Sequence, residues 1–155
     1  MFSGLTPKAT IVDWTFSGAD LYDELLLGPT YAVSKVLKKN NLELSDMDVI
    51  EFHEAFAGQI MANVKCLASD EFAKEKLGRD KAVGQIDMDK LNQWGGSLAI
   101  GHPFGATGAR ITTTAANRLA ATNGKYALNY KSNKINSDIK SNLKNFDGSM
   151  KLPKF

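Results

Sequence analysis

Five glycines fall within the fourteen residues from Gly95 to Gly108, and this run limits the fold more than any other feature of the chain. Glycine at that density lets backbone approach backbone or ligand closely. The stretch reads as a tight turn between elements, and the pattern on either side says which elements those are. Downstream, a helix is predicted from about Ala106 to Ala121, ending near Asn123-Gly124. Upstream, Val49-Ile50-Glu51-Phe52 reads as an inward-running strand, followed by a helix with Phe56, Ile60, Val64 and Leu67 at helical spacing.

The rest of the chain repeats this alternation. Lys8 to Trp14 is rich in β-branched residues and reads as a strand. Thr30 to Lys39 carries Ala32, Val33, Val36 and Leu37 at helical spacing, with Pro29 suited to its first turn and Asn40-Asn41 to its end. Ser45 to Asp48 resembles a capping box opening a single turn. Asp70 to Leu77 reads as a short amphipathic helix stopped by Gly78, and residues 79–93 as a polar excursion over the surface. Lys125 begins another strand. Strands alternating with helices predict an α/β layered domain.

Composition changes after Leu128. The 27 residues 129–155 include five Asn, six Lys and four Ser, with apolar residues that follow no period. Such a segment buries too little surface to offset its ordering entropy, so it is expected to be an irregular tail behind a domain spanning residues 1–128. The tail also holds the positive charge. Its six lysines face only Asp138 and Asp147, so the net +2 of the whole chain leaves residues 1–128 two charges negative. A tail without Arg or regular aromatics reads as a solvated end, not a nucleic-acid surface. Nothing approaches the ~18 consecutive apolar residues of a membrane span, and the first residues read as neither a secretory nor an organellar signal.

Both histidines of the chain sit at special places. His53 stands where a strand hands over to a helix, and His102 lies between Gly101 and Pro103 in the glycine-rich turn. Strand-to-helix junctions are where sites collect in α/β proteins. A helix starting after His102 would aim free N–H groups at the same region. The pair is therefore expected to share one end of the sheet. Two histidines without a third ligand at defined spacing do not make a zinc site. The single cysteine, Cys66, rules out an internal disulfide. It falls mid-helix rather than at a helix N-terminus where a thiolate is stabilised. Trp94, Phe56 and Phe104 are candidates to wall an apolar pocket.

His53-Glu54-Ala55-Phe56, then Gly95-Gly96-Ser97, Gly101-His102-Pro103 and Gly105-Ala106-Thr107-Gly108-Ala109-Arg110, in this order and spacing, resemble the C-terminal half of thiolases from about Lys8 to Leu128. His53 before Glu-Ala-Phe, with Leu25 to Tyr31, looks nearest to the trifunctional-protein β-subunit group of long-chain 3-ketoacyl-CoA thiolases. The resemblance implies a layered half-domain with a mixed sheet flanked by helices. It implies acyl transfer between a 3-ketoacyl-CoA and CoA in fatty-acid β-oxidation, with CoA a substrate and no cofactor. The position of His102 activates a nucleophilic cysteine in that family, and that of His53 helps build an oxyanion hole. Phe56 borders the acyl pocket, and Gly101, Pro103 and Gly105 are carried over as substrate-binding. Implied partners are acyl-CoA, CoA, and a second thiolase chain or a trifunctional-type α subunit, in a mitochondrial setting or otherwise the cytoplasm. A ketosynthase-related condensing enzyme shares the fold, but the His-Glu-Ala-Phe and Gly-His-Pro blocks favour thiolase.

The departures matter as much. The family's nucleophilic cysteine lies in the N-terminal half, outside this stretch. The strand from Lys125 should continue into a second cysteine and a glycine-rich turn, yet it runs into Asn129 to Lys134 and no cysteine follows Cys66. Residues 129–155 thus read as an ending foreign to this domain, as in a truncated paralogue, a splice form or a misread exon boundary. The half-domain is expected to lack its last strands and, on its own, to be inactive.

Overall fold

The computed structural model describes residues 4, 6–131 and 135–140, with side chains described as far as Tyr130. The strand β2, Val49–Phe52, has all four of its residues buried. Burial on both faces is characteristic of a strand flanked by helices. β2 runs parallel to β3, Tyr126–Lys131, with Val49 opposite Ala127 and Phe52 opposite Tyr130. β3 is antiparallel to β4, Ile135–Lys140, and β4 is antiparallel to β1, Thr10–Thr15, giving the order β1-β4-β3-β2. A register shift between Ile11 and Asp13 puts an irregularity in β1 at Val12.

The period-two alternation of β2 and β3 sorts the core into two layers. Ile50, Phe52, Leu128 and Tyr130 face α1, Gly28–Asn40, and α2, Ala57–Leu67, packing with Val33, Val36, Leu37, Ile60, Val64 and Leu67. Val49 and Ala127 pack with Ala115 and Leu119 of the longest helix. Between lie α3, Asp70–Lys76, and the single-turn α4, Ser97–Ile100; the long helix, Thr107–Thr122, is α5. α1 has Pro29 in its first turn and ends on Asn41, and α5 ends on Asn123, both asparagines left-handed. Among L residues asparagine tolerates that conformation best.

Three expectations need correction. The capping box joins Glu43 to Asp46 around the 3₁₀ turn Leu44–Asp46, two residues earlier than read, because the side chain that reaches back to the Glu43 N–H is that of Asp46. Residues 79–93 are more than a surface excursion. Val83, Ile86 and Leu91 are buried in the core, and Leu91 bridges Ile50 as a parallel partner on the open side of β2. The polar residues between them hid three widely spaced anchors. Nor is the tail wholly irregular. Residues 129–131 continue β3, and Ile135–Lys140 forms β4, the strand that joins β1 to the sheet. Backbone pairing there needs no apolar period. The remainder, 132–134 and 141–155, lies outside the described residues.

Candidate functional site

β2 stops at Phe52, and the next residue donates its backbone N–H to the Tyr130 carbonyl at 2.7 Å. That bond fixes His53 at the edge of the sheet, with its ring buried. His102 arrives from α4, whose capping residue Gly101 has φ +89°. That angle is one L side chains rarely adopt, so the turn bringing His102 back over the sheet depends on a glycine. Pro103 then leads into α5, its carbonyl accepting from the Ala106 N–H at 2.9 Å and the Thr107 N–H at 3.0 Å. The two imidazoles stack tilted, 4.1 Å between centroids, beside the start of α5. The expected juxtaposition of His53 and His102 is thus present.

Neither ring is held by itself. His53 Nδ1 lies 2.9 Å from Ser97 Oγ, and that oxygen also receives Arg110 Nη2 at 3.0 Å. His102 Nδ1 lies 2.6 Å from Thr107 Oγ1, whose hydroxyl reaches the Pro103 carbonyl at 3.1 Å.

Beneath them, a polar bracket ties β2 to the glycine turn. The Asn92 side chain mimics a strand partner. It accepts from the Phe52 N–H at 2.8 Å and donates to the Phe52 carbonyl at 2.9 Å, and its amide nitrogen also meets Glu54 Oε1 at 2.6 Å. The other Glu54 oxygen accepts from the Leu98 N–H at 3.0 Å. One carboxylate therefore holds both the Asn92 bracket and the first turn of α4. A Cβ on Gly96 would overlap that carboxylate, although the φ of Gly96, −104°, suits any residue. Gly96→Ala should therefore act by steric displacement of Glu54. We expect a loss of about 1–3 kcal/mol, read as a shift in urea midpoint, with less damage from Gly105→Ala, where a Cβ meets open space.

The sequence-predicted residues divide. His53, His102 and Pro103 converge. Phe56 caps the start of α2 with its ring exposed, and Trp94 and Phe104 are exposed too, so the expected apolar wall is not closed over by the described residues. Phe104 does contact the pair, its ring 4.9 Å from that of His102. Cys66 is half-buried in the last turn of α2, and burial pushes its thiol up, with the Glu24 carboxylate adding to the effect. Sequence reasoning missed Ser97, Thr107, Arg110, Glu54 and Asn92 as supports. Glu54, directly after His53, carried a weak signal, since a carboxylate at a strand end needs a partner.

Known proteins resemble this chain over most of its length. A family model described as thiolase, C-terminal domain, matches residues 5–133. The mitochondrial trifunctional enzyme subunit beta of Bos taurus is 54% identical over 125 residues, which is 81% of this chain and 26% of that protein. A Caenorhabditis elegans protein named "Probable 3-ketoacyl-CoA thiolase" is 51% identical over 126 residues, 28% of its length. Human mitochondrial 3-ketoacyl-CoA thiolase, whose structure is also known in complex with CoA, superposes with a TM-score of 0.70 at 35% identity, covering 88% of this chain and 31% of that one. The chain thus spans about a quarter of the length of the curated relatives it matches.

Proposed function

The chain belongs to the thiolase family, and on that premise we propose that it supplies the two-histidine part of a site transferring an acyl group between a 3-ketoacyl-CoA and CoA. The observation that carries this reading is the pair of imidazoles 4.1 Å apart at the mouth of the sheet, beside the start of α5. Cleaving a 3-ketoacyl chain between C2 and C3 sends negative charge first to a carbonyl oxygen and then to an enolate. Fixed donors stabilise both, and removing one costs ~10²–10³ in rate. A thiol near neutral pH also needs a base to become a nucleophile. In this reading His102 is that base and His53 a donor to the oxyanion. Gly101, Pro103 and Gly105 shape the turn against the substrate, and Phe56 and Phe104 border the acyl chain. CoA is a substrate, and the setting is mitochondrial, as for the trifunctional β subunits.

The two thiols of the reaction come from outside these 155 residues, so the chain by itself turns nothing over. A second reading, a non-catalytic chain that packs on a complete thiolase, draws support from Phe56, Leu98, Ile100 and Phe104, all exposed around the histidines. A chimera separates the two. Residues 8–128 replace the matching segment of a trifunctional β subunit, which keeps its own cysteines. Thiolysis of a 3-ketoacyl-CoA is expected, falling about 10²–10⁴-fold in His102→Ala. A folded chimera with no turnover would favour the packing role.

A further inference from the structure

Each imidazole of the pair sets its Nδ1 against a hydroxyl, and the two hydroxyls are wired in opposite senses. Ser97 Oγ stands 2.9 Å from His53 Nδ1 and 3.0 Å from Arg110 Nη2. A guanidinium only donates, so Arg110 occupies a lone pair of the serine. The serine's own proton is then left to the ring. Ser97 is buried, and among the described residues its hydroxyl meets only that ring and the guanidinium, so a proton turned elsewhere would find no acceptor there. Thr107 Oγ1, fully buried, stands 2.6 Å from His102 Nδ1 and 3.1 Å from the Pro103 carbonyl oxygen. A carbonyl only accepts, so the threonine proton goes to Pro103 and its oxygen accepts from the ring.

We infer that Ser97 and Arg110 are positioning residues that hold His53 as the Nε2–H tautomer, while Thr107 and Pro103 hold His102 as the Nδ1–H tautomer. Side by side, one ring then has a donor at Nε2 and the other a lone pair. The first is what a developing oxyanion needs, and the second is what a thiol proton needs. Two histidines with the same tautomer could not divide the work in this way. Arg110 is suited to its part because its other hydrogen-bond donors are unspent among the described residues. Its Nε and Nη1 are buried and have no hydrogen-bond partner among the described residues, so its one bond goes to Ser97.

The chemical use of the tautomers rests on the acyl-transfer reading, but the tautomers themselves do not. The test is therefore spectroscopic. In the full chain with ¹⁵N-labelled histidine, long-range ¹H–¹⁵N correlation separates the tautomers, and the chain has only two histidines, assigned through His53→Gln. The expected spectrum has one ring of each kind. Ser97→Ala should take His53 to a mixture and leave His102 untouched, and Ser97→Thr should restore it. Thr107→Ala should change His102 alone. Should Ser97→Ala not fold, Arg110→Met provides the second variant, with the same drift expected in His53. Matching tautomers in the unmodified chain, or a His53 pattern unmoved by Ser97→Ala, would overturn the inference. Opposite tautomers with a silent chimera would count against acyl transfer only. Matching tautomers with an active chimera would count against the relay only.

Discussion

The purified 155-residue chain should consume no 3-ketoacyl-CoA above the buffer rate when CoA is added, and Cys66→Ser should leave that baseline where it is. Covalent acyl transfer needs a thiolate to hold the acyl group and a second acid–base group at the substrate α-carbon. The one thiol of the sequence satisfies neither need. It stands nine positions from the start of α2, about 13 Å along the axis at the helical rise, while His53 precedes that start. Burial and the Glu24 carboxylate push its thiol up, so it stays protonated near neutral pH. Histidines and an oxyanion site stabilise charge but cannot carry an acyl chain. Removing groups that act as a unit abolishes nearly all the acceleration rather than a proportional share. Turnover that disappears in Cys66→Ser would sink this expectation.

Arg118→Met should be the most damaging single change to stability, costing about 3–5 kcal/mol because it leaves a buried carboxylate without its cation. Arg118 on α5 meets Glu51 of β2 at 2.5 Å, with both side chains almost wholly buried. It also donates to the Ile50 carbonyl at 3.3 Å and the Lys90 carbonyl at 3.0 Å. One side chain thus pins α5, β2 and the segment leading to Asn92. Adding Glu51→Leu to Arg118→Met should recover much of the loss, since replacing both charges by apolar groups is often neutral. Burial pushes the Glu51 carboxyl above its ordinary value in spite of Arg118. The folded state therefore holds that proton more tightly than the unfolded chain. The associated stability is full below the ordinary carboxylate range and is lost as pH rises through the raised value. Urea midpoints across a pH series should display this slope, steeper in Arg118→Met and absent in Glu51→Gln.

Local pattern carried the elements and long-range contact did not. Val49 to Phe52 was legible as an inward-running strand because Val49, Ile50 and Phe52 are apolar and stand almost in a row. α2 and α5 were legible because their apolar stripes repeat over several turns. The neighbourhood of His53 and His102 could be inferred, since a strand end and a glycine turn before a helix meet at the same side of such a sheet. Nothing local announces that Asn92 will replace a strand across from Phe52, forty residues earlier, or that Gly96 is small because Glu54 lies against it. Ser97 and Arg110, thirteen apart, meet only once the turn has closed. The expected pocket wall stays open among the described residues for a different reason. Aromatic side chains say that a cover is needed but not what supplies it. β4 was missed because ladder bonds belong to the backbone, and an Asn- and Lys-rich composition does not forbid them.

The sheet order also sets a sequence of events. β1 has β4 as its strand neighbour, with Thr10 opposite Lys140. Emerging from a ribosome, α1, α2, β2, α5 and β3 can meet one another while β4 is still being made. β1 cannot enter the sheet until then. The delay is one of timing more than of equilibrium, because closing a loop costs only ~0.6 kcal/mol more for each doubling of its length. During that wait Ile11, Val12 and Trp14 stand next to an unpaired backbone, and all three remain largely exposed even after pairing. The nascent chain is therefore most open to holdase chaperones, and to clumping with its neighbours on a polysome, through the strand it made early and must use late.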